Sequence, residues 1–152
     1  MMKKIIPFLI ITIVLNACNS DVHFKKFVKT ENLEWLKTDK INISVENEDD
    51  SSNFNVFIAF RFADGFQFNA IPLTIVEKTP VGNFTNTIAI KTRDEKGSYI
   101  GEVSGDIWDI EVPLKTNVKL AKGNYTFEIE HNLPVAKAQM VMEVGLIIKK
   151  SE

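Results

Sequence analysis

The stretch that decides the fold is NFNVFIAFRF, residues 53–62, in which every second residue is apolar. Successive side chains of an extended chain point to opposite faces of a sheet, so one face of this stretch is continuously apolar. The tripeptide Ala63-Asp64-Gly65 then ends the pattern, because aspartate and glycine favour turns. The stretch is therefore predicted to be a β-strand whose apolar row lies in the core: Phe54, Val56, Ile58, Phe60 and Phe62.

The same alternation continues on both sides of this strand. Residues 41–45 alternate apolar and polar side chains and predict a preceding strand. Both rows of residues 138–149 are fairly apolar, which is typical of a strand in the middle of a sheet. Residues 66–76 predict another strand, in which Pro72 removes a backbone donor and so indicates a sheet edge or a bulge. Shorter strands are predicted at 86–92, 98–103, 107–112 and 117–120.

Turn-forming residues separate these strands at short, regular intervals, and no long amphipathic helix is required. This pattern predicts an all-β protein, an antiparallel β-sandwich of the jelly-roll or immunoglobulin-like type with about eight to nine strands. The sequence Gly123-Asn124-Tyr125 resembles the Gly-x-Tyr start of a sandwich strand, where the tyrosine hydroxyl bonds to nearby backbone. Tyr125, Phe127 and Ile129 are predicted to face the core.

The beginning of the chain has the pattern of an export signal. Lys3 and Lys4 precede an apolar run of about eleven residues, roughly half the length needed to cross a hydrocarbon core. The tetrapeptide LNAC, residues 15–18, resembles the bacterial lipobox, in which the cysteine sulfur is acylated and the leader is cut before it. Cys18 is the only cysteine, so acylation explains an otherwise unpaired thiol. We expect a lipoprotein signal peptide at 1–17, a tether at 18–34 and a single β-sandwich domain at 35–152.

The acylated cysteine is predicted to anchor the protein to a membrane without a spanning segment. Asn19 follows the cysteine, and the absence of aspartate there favours the outer membrane over the inner one. We expect the periplasmic leaflet, because Asp21 alone is a poor version of the acidic cue for surface display. Loss of Lys3 and Lys4 with the leader reduces 18 basic residues to 16, against 20 acidic ones. This balance argues against a nucleic-acid partner, which would need a concentrated basic surface.

The sequence predicts no catalytic residue, metal or cofactor. His23 and His131 are too few ligands for zinc and are expected to face solvent. Ser104 lies one position late for a nucleophile elbow and is flanked by predicted strands. The acidic residues within 46–50 and 106–111 lack the spacing of a calcium loop. A glycine-rich phosphate cradle is also missing from the sequence.

Aromatic residues leave one alternative function open. Trp35, Tyr99 and Trp108 are candidates for a platform on which sugar rings stack, as in a carbohydrate-binding surface lipoprotein of a polysaccharide-uptake system. The alternation of Trp108 with Ile110 instead favours burial of Trp108 in the core. Arg61 interrupts a very apolar strand and is interpreted as an exposed sheet edge, with a partner surface or a buried ion pair as alternatives.

Several short motifs, taken in order behind the lipobox, resemble the GldH family, the gliding-motility lipoproteins of Bacteroidetes. The similarity runs from about Val28 to Lys149. This chain departs from the family after the tyrosine strand, where it has Asn132-Leu133-Pro134 and the family tends to carry Met-Arg. The resemblance rests on Trp35, NVFIAFR at 55–61, FQFN at 66–69, Pro80-x-Gly82, Gly97-x-Tyr99-x-Gly101, the Gly123-x-Tyr125-x-Phe127-x-Ile129 strand and VGL at 144–146 followed by Ile148.

The resemblance implies a non-enzymatic envelope component that supports gliding and the associated type IX secretion of surface adhesins. Its partners would be the lipid bilayer, through Cys18, and other envelope or gliding-machinery proteins. Within the sandwich, Trp35, Arg61 and Asn69 are the candidate contacts with such a protein partner.

Overall fold

The computed structural model describes residues 21–152, which form eleven strands and no helix. The predicted signal peptide and Cys18 lie outside the described residues. Within residues 21–152, no helix has the length and apolar character of a membrane span. The strands are β1 Val22–Lys29, β2 Glu34–Leu36, β3 Ile41–Asn47, β4 Asn53–Ala63, β5 Ala70–Thr79, β6 Gly82–Lys91, β7 Glu102–Ser104, β8 Ile107–Lys119, β9 Gly123–His131, β10 Lys137–Gln139 and β11 Val141–Lys150.

Nine of the eleven strands form two sheets, one of five strands in the order β1-β11-β4-β8-β7 and one of four in the order β3-β9-β5-β6. The remaining two, β2 and β10, pair with each other. Every pairing is antiparallel, so the predicted all-β antiparallel sandwich is confirmed. The strand number exceeds the prediction because β1, β2 and β10 were not predicted, although the strands predicted at 107–112 and 117–120 are one strand, β8. β2 and β10 have three residues each, too few to show an alternating pattern.

The core lies between the two sheets, and the apolar row of β4 is its centre. All five members of that row, from Phe54 to Phe62, are buried as predicted. Ile71, Leu73 and Ile75 of β5 contribute buried side chains from the opposite sheet. Burying side chains of this size contributes about 1.5–3 kcal/mol each, so this row is a large contribution to stability. The predicted inward row of β9 is buried too: Tyr125, Phe127 and Ile129.

The first strand replaces most of the predicted tether at 18–34. β1 pairs with β11 from Val22 to Lys29, and the backbone N–H of Lys150 donates to the carbonyl of Asp21 at 2.8 Å. β1 places apolar side chains on both faces of the sheet, Phe24 and Val28 against the core and Phe27 over Gly145, which is why the sequence shows no clear period there. The connection between the lipobox and the folded domain is therefore much shorter than the sequence predicts.

Pro72 lies in a central strand, so the prediction of a sheet edge at this residue is wrong. β5 has β9 on one side and β6 on the other. The β5–β9 register begins at Leu73, and the carbonyl of Pro72 accepts the N–H of Asn132 at 2.8 Å. In an antiparallel strand, the N–H and the carbonyl of one residue point to the same neighbouring strand. The N–H that Pro72 lacks would therefore point towards β9, at the place where β9 ends.

The sandwich has two distinct ends. We call the end at which β1 begins the near end and the opposite one the far end. Two short loops, 48–52 and 120–122, connect the two sheets at the near end. They lie at the same end because Asn47 pairs with Gly123 and Asn53 pairs with Lys119. The near end consists of Asp21, residues 48–52, 80–81, 120–122 and 151–152, and the far end includes residues 30–33, 64–69, 132–136 and 140.

A buried carboxylate joins the two sheets towards the near end. Glu77 of β5 is buried, and its Oε2 lies 2.5 Å from the Nζ of Lys115 on β8. Its Oε1 accepts a hydrogen bond of 2.6 Å from the side-chain amide of Asn86 on β6. Nearby, the Tyr125 hydroxyl donates to the carbonyl of Ala121 at 3.1 Å, which confirms the predicted tyrosine corner. The charge of Glu77 is tolerated in the core because both oxygens have partners.

Replacing Lys115 tests this ion pair. Lys115→Met leaves the Glu77 charge buried without its cation, and we expect the free energy of unfolding in urea to fall by about 3 kcal/mol. Adding Glu77→Gln to that variant removes the unpaired charge and restores part of the loss. The matched control is Lys119→Met, at an exposed position on the same strand. Equal losses for Lys115→Met and Lys119→Met would contradict the role given to this pair.

Candidate interaction surface

Trp35 is a core residue, which corrects its prediction as a partner contact. Its side chain is buried beneath the β2–β10 pair. The indole Nε1 donates to the carbonyl of Asp39 at 2.8 Å, and the ring meets the His131 ring edge-on at a centroid distance of 5.1 Å. An indole whose ring is covered and whose N–H is satisfied within its own chain offers nothing to a partner.

His131 is also buried, so the prediction of a solvent-facing imidazole is wrong for this residue. Its Nε2 lies 3.1 Å from the carbonyl of Trp35, and this places the ring proton on Nε2 as the donor. Among the described residues, Nδ1 has no hydrogen-bond partner. Burial lowers the pKa of His131 below its ordinary value, because the charged form loses its hydration. His23 is half-buried, with its ring centroid 4.8 Å from that of Phe54.

Arg61 lies on the outer face of the five-stranded sheet, in a central strand and away from any edge. Its Nε and Nη2 bind the two carboxylate oxygens of Asp109 at 2.7 and 3.2 Å, and its Nη1 binds Glu143 at 2.7 Å. The guanidinium carbon also lies 5.4 Å from the centroid of the Phe27 ring. The exposed-edge interpretation of Arg61 is therefore wrong, and the ion-pair alternative is correct for a half-buried site.

Asn69 remains a candidate contact. It is exposed in the β4–β5 loop at the far end, and its carbonyl accepts the N–H groups of Thr92 and Arg93 at 2.9 and 3.3 Å. The backbone of this loop is thus fixed while the side chain faces solvent. Within the described part of the chain, no hydrogen bond, ion pair or ring contact joins Trp35, Arg61 and Asn69, so the structure does not assemble them into one site.

The aromatic platform proposed for sugar rings is not assembled in the structure. Tyr99 and Trp108 meet at a centroid distance of 5.4 Å, whereas Trp35 packs against His131 instead. The guanidinium of Arg93 lies 3.8 Å from the centroid of the Tyr99 ring and covers it. The Tyr99 hydroxyl donates to the carbonyl of Phe66 at 2.8 Å, so this side chain holds far-end loops together.

The acidic loop within residues 46–50 is organised by its own hydrogen bonds. Asp49 accepts from the hydroxyl groups of Ser52 and Ser51 at 2.6 and 2.7 Å and from the Nζ of Lys150 at 2.9 Å. These bonds, with that from Ser52 the strongest, hold the pKa of Asp49 well below its ordinary value. Residues 21–152 contain no group of three or more His, Cys, Asp or Glu side chains placed to hold a metal ion.

One exposed apolar feature at the far end was not found from the sequence. Leu33 and Met140 are 39% and 37% exposed, and both have left-handed backbone, with φ of 57° and 63°. They line a cleft of about 170 Å³ with Asn32, Glu34 and Gln139. We call these five residues the far-end corner.

Hydrogen bonds hold the far-end corner in this unusual conformation. The carbonyl of Leu33 accepts the N–H of Val141 at 3.1 Å, and the carbonyl of Met140 accepts the N–H of Ala63 at 2.9 Å. Left-handed backbone costs a residue with a side chain roughly 1–2 kcal/mol, and such strain is concentrated at functional positions. Asn32 also has left-handed backbone, with φ of 52°, and is the one residue of the corner whose type suits that conformation. Leucine and methionine are not usual in it, so the sequence does not mark Leu33 and Met140.

The family model described as GldH lipoprotein matches residues 22–148. The chain belongs to the GldH lipoprotein family. The GldH match begins at the first residue of β1 and ends within β11, so β1 is part of the domain that the family shares.

Two relatives match over nearly their whole length. A gliding motility lipoprotein GldH homolog of Christiangramia forsetii is 21% identical, covering 95% of this chain and 94% of that protein. The gliding motility lipoprotein GldH of Flavobacterium johnsoniae is 26% identical with the same coverage. Among solved structures, a chain from infectious bursal disease virus, Gx strain, aligns with a TM-score of 0.33 and 10% identity, over 84% of this chain and 32% of that one.

The buried His131 predicts a specific pH dependence of stability. Its pKa in the folded protein lies below that of the unfolded chain, about 6.5, so the unfolded chain takes up the proton first. Stability therefore falls as the pH drops below about 6.5, by up to about 1.4 kcal/mol per pH unit for this single group. Urea unfolding of the wild type and of His131→Phe between pH 7 and pH 5 measures the difference, since His23 is common to both. Parallel curves for the two proteins would show that His131 is not buried as a neutral ring.

Proposed function

We propose that this GldH protein is a non-enzymatic lipoprotein that supports gliding motility and the associated type IX secretion. Acylated Cys18 holds it in the periplasmic leaflet of the outer membrane, and the sandwich acts by contacts with other envelope or gliding-machinery proteins. The match of the whole sandwich, residues 22–148, to the family carries this proposal. Both relatives are named gliding motility lipoproteins, and they align over 94% of their lengths.

The far-end corner is the contact surface that best fits this role. It presents two large apolar side chains, Leu33 and Met140, on backbone that hydrogen bonds to β11 and β4 hold fixed. A rigid apolar pair loses little conformational entropy when a partner covers it, which favours binding. Asn69, exposed in another far-end loop, supplies a polar contact at the same end. Leu36, 41% exposed, lies farther along β2 and does not line the cleft of the far-end corner. The occupant that we assign to this surface is an envelope protein with a complementary apolar patch.

Asparagine substitutions separate the function of the corner from its stability. In Leu33→Asn with Met140→Asn, the apolar surface is lost, but asparagine suits left-handed backbone. Relief of strain offsets the lost packing, so we expect the free energy of unfolding to stay within about 1 kcal/mol of the wild type. A strain that carries this variant as its sole copy is expected to spread on agar like the deletion strain.

The matched control for this experiment is Val103→Thr. Val103 is 56% exposed on β7, and threonine keeps the β-branched shape that suits a strand. This control strain is expected to spread normally, with both proteins present at wild-type amounts in immunoblots. Normal spreading of the asparagine double variant would exclude the far-end corner as the contact surface.

A further inference from the structure

The chain has very little length between the proposed anchor and the folded domain. Strand pairing with β11 continues to Asp21, whose carbonyl accepts the N–H of Lys150 at 2.8 Å. Three residue steps separate Cys18 from Asp21. Fully extended chain spans at most about 3.3–3.6 Å per residue, so the two Cα atoms lie no more than about 11 Å apart whatever path the chain takes. The headgroups account for roughly 5–8 Å on each side of the hydrocarbon core, so a link of at most about 11 Å would keep Asp21 within a few ångström of the headgroup surface.

The most exposed apolar side chains of the described residues include two beside the near end. Val81 is 73% exposed at the tip of the β5–β6 turn, and Phe84 is 48% exposed on β6 just behind it. The Thr79 hydroxyl donates to the carbonyl of Gly82 at 2.7 Å and accepts the N–H of Val81 at 3.2 Å, which fixes the turn. The turn therefore projects a valine into solvent with no partner in the sandwich.

An apolar cavity continues inward from this turn. Its volume is about 440 Å³, and it lies between the edge of β6 and the end of β8. Val118, Leu120 and Tyr125 form its apolar wall, and the Nζ of Lys115 lies 5.4 Å from the Phe84 ring at its mouth. Such a surface, apolar at its centre with lysines at its rim, suits the boundary between headgroups and acyl chains.

The near end carries more acidic than basic residues: Asp21, Glu48, Asp49, Asp50 and Glu152 against Lys122. Lys150 binds Asp49 at 2.9 Å, and Lys122 lies 3.5 Å from Asp50. A concentrated basic surface, which would select anionic lipids, is therefore missing from this end of the described chain. The apolar side chains and the short anchor remain as the features that favour a membrane.

From these observations we infer that the near end rests on the bilayer, with Val81 and Phe84 in the headgroup region. This inference rests on the proposed acylation of Cys18. The far-end corner then points away from the membrane. β11 has ten residues, and at about 3.4 Å per residue it raises the corner roughly 35 Å above the lipid surface. A protein partner at that height can reach the corner without contacting lipid.

A fluorescent label on a single introduced cysteine tests the inference. The sulfur of Cys18 is blocked by acylation in the native protein, so Val81→Cys or Val103→Cys provides the only free thiol. Both valines are exposed, at 73% and 56%, and they lie at opposite ends of the sandwich. Each labelled protein, purified from membranes, is reconstituted into phosphatidylcholine vesicles, with and without nitroxide-labelled lipid.

The label at position 81 is expected to shift to shorter emission wavelength, to be quenched by the nitroxide lipid and to be shielded from iodide in the buffer. The label at position 103 is expected to keep the emission wavelength and the iodide quenching of a label in water, and not to be quenched by the nitroxide lipid. Because the near end carries more acidic than basic residues, adding phosphatidylglycerol to the vesicles is expected to strengthen neither the quenching by nitroxide lipid nor the shielding from iodide.

The outcomes separate this inference from the anchor on which it rests. Vesicle flotation is measured first, on the same samples. If the protein does not float with the vesicles, the acylated anchor is refuted and the inference falls with it. If the protein floats but iodide quenches positions 81 and 103 equally, the anchor stands and the docking of the near end on lipid is refuted.

Discussion

The pairing of β1 with β11 is the constraint on which the rest of the structure depends. β11 lies between β1 and β4, so one strand connects the beginning of the domain to its central row of phenylalanines. The Phe27 ring covers Gly145 so closely that a side chain there would clash, since a Cβ would lie 2.7 Å from a ring carbon. Ile147 of β11 is buried on the outer face of the sheet. This pairing brings the folded domain to within three residue steps of Cys18 and so determines which end lies near the proposed anchor.

The two ends of the sandwich are specialised in different ways. Towards the near end, the buried pair of Glu77 and Lys115 joins the sheets beside an apolar cavity and a projecting Val81. At the far end, hydrogen bonds impose left-handed backbone on Leu33 and Met140. Burying the charge of Glu77 carries an energetic cost through desolvation. Holding Leu33 and Met140 in left-handed backbone carries a cost through backbone strain. The separation of these two features is consistent with a domain that contacts lipid at one end and a protein at the other.

Alternation of side chains was enough to predict the strands with one apolar face. The rows beginning at Phe54 and Tyr125 are buried as predicted, and β11 is central as its two apolar rows indicate. β1 was missed because its apolar side chains, Phe24, Phe27 and Val28, lie on both faces of the sheet and so show no two-residue period. The position of Pro72 depends on where a neighbouring strand ends, and local sequence does not show this.

The candidate site was less predictable than the fold. The family resemblance made Trp35 a candidate contact, but burial of a tryptophan depends on which way its strand faces, and here the ring points inward from β2 against His131. Arg61 was correctly marked as unusual, and its partners Asp109 and Glu143 come from strands far apart in the chain. The far-end corner is defined by backbone dihedral angles, which the sequence does not reveal when leucine and methionine occupy the positions.

Hydrogen–deuterium exchange of the native protein in detergent measures the β1–β11 pairing most directly. The structure predicts that the amides of residues 22–29 directed at β11 exchange far more slowly than in the unfolded protein, because they belong to the β1–β11 ladder of hydrogen bonds. Residues 141–150 are expected to be better protected still, because β11 is bonded on both sides whereas β1 is an edge strand. The same peptides from protein unfolded in urea provide the fast-exchanging reference. If residues 22–29 exchanged as fast as in that reference, β1 would be a tether, and the close link between the sandwich and the membrane would be wrong.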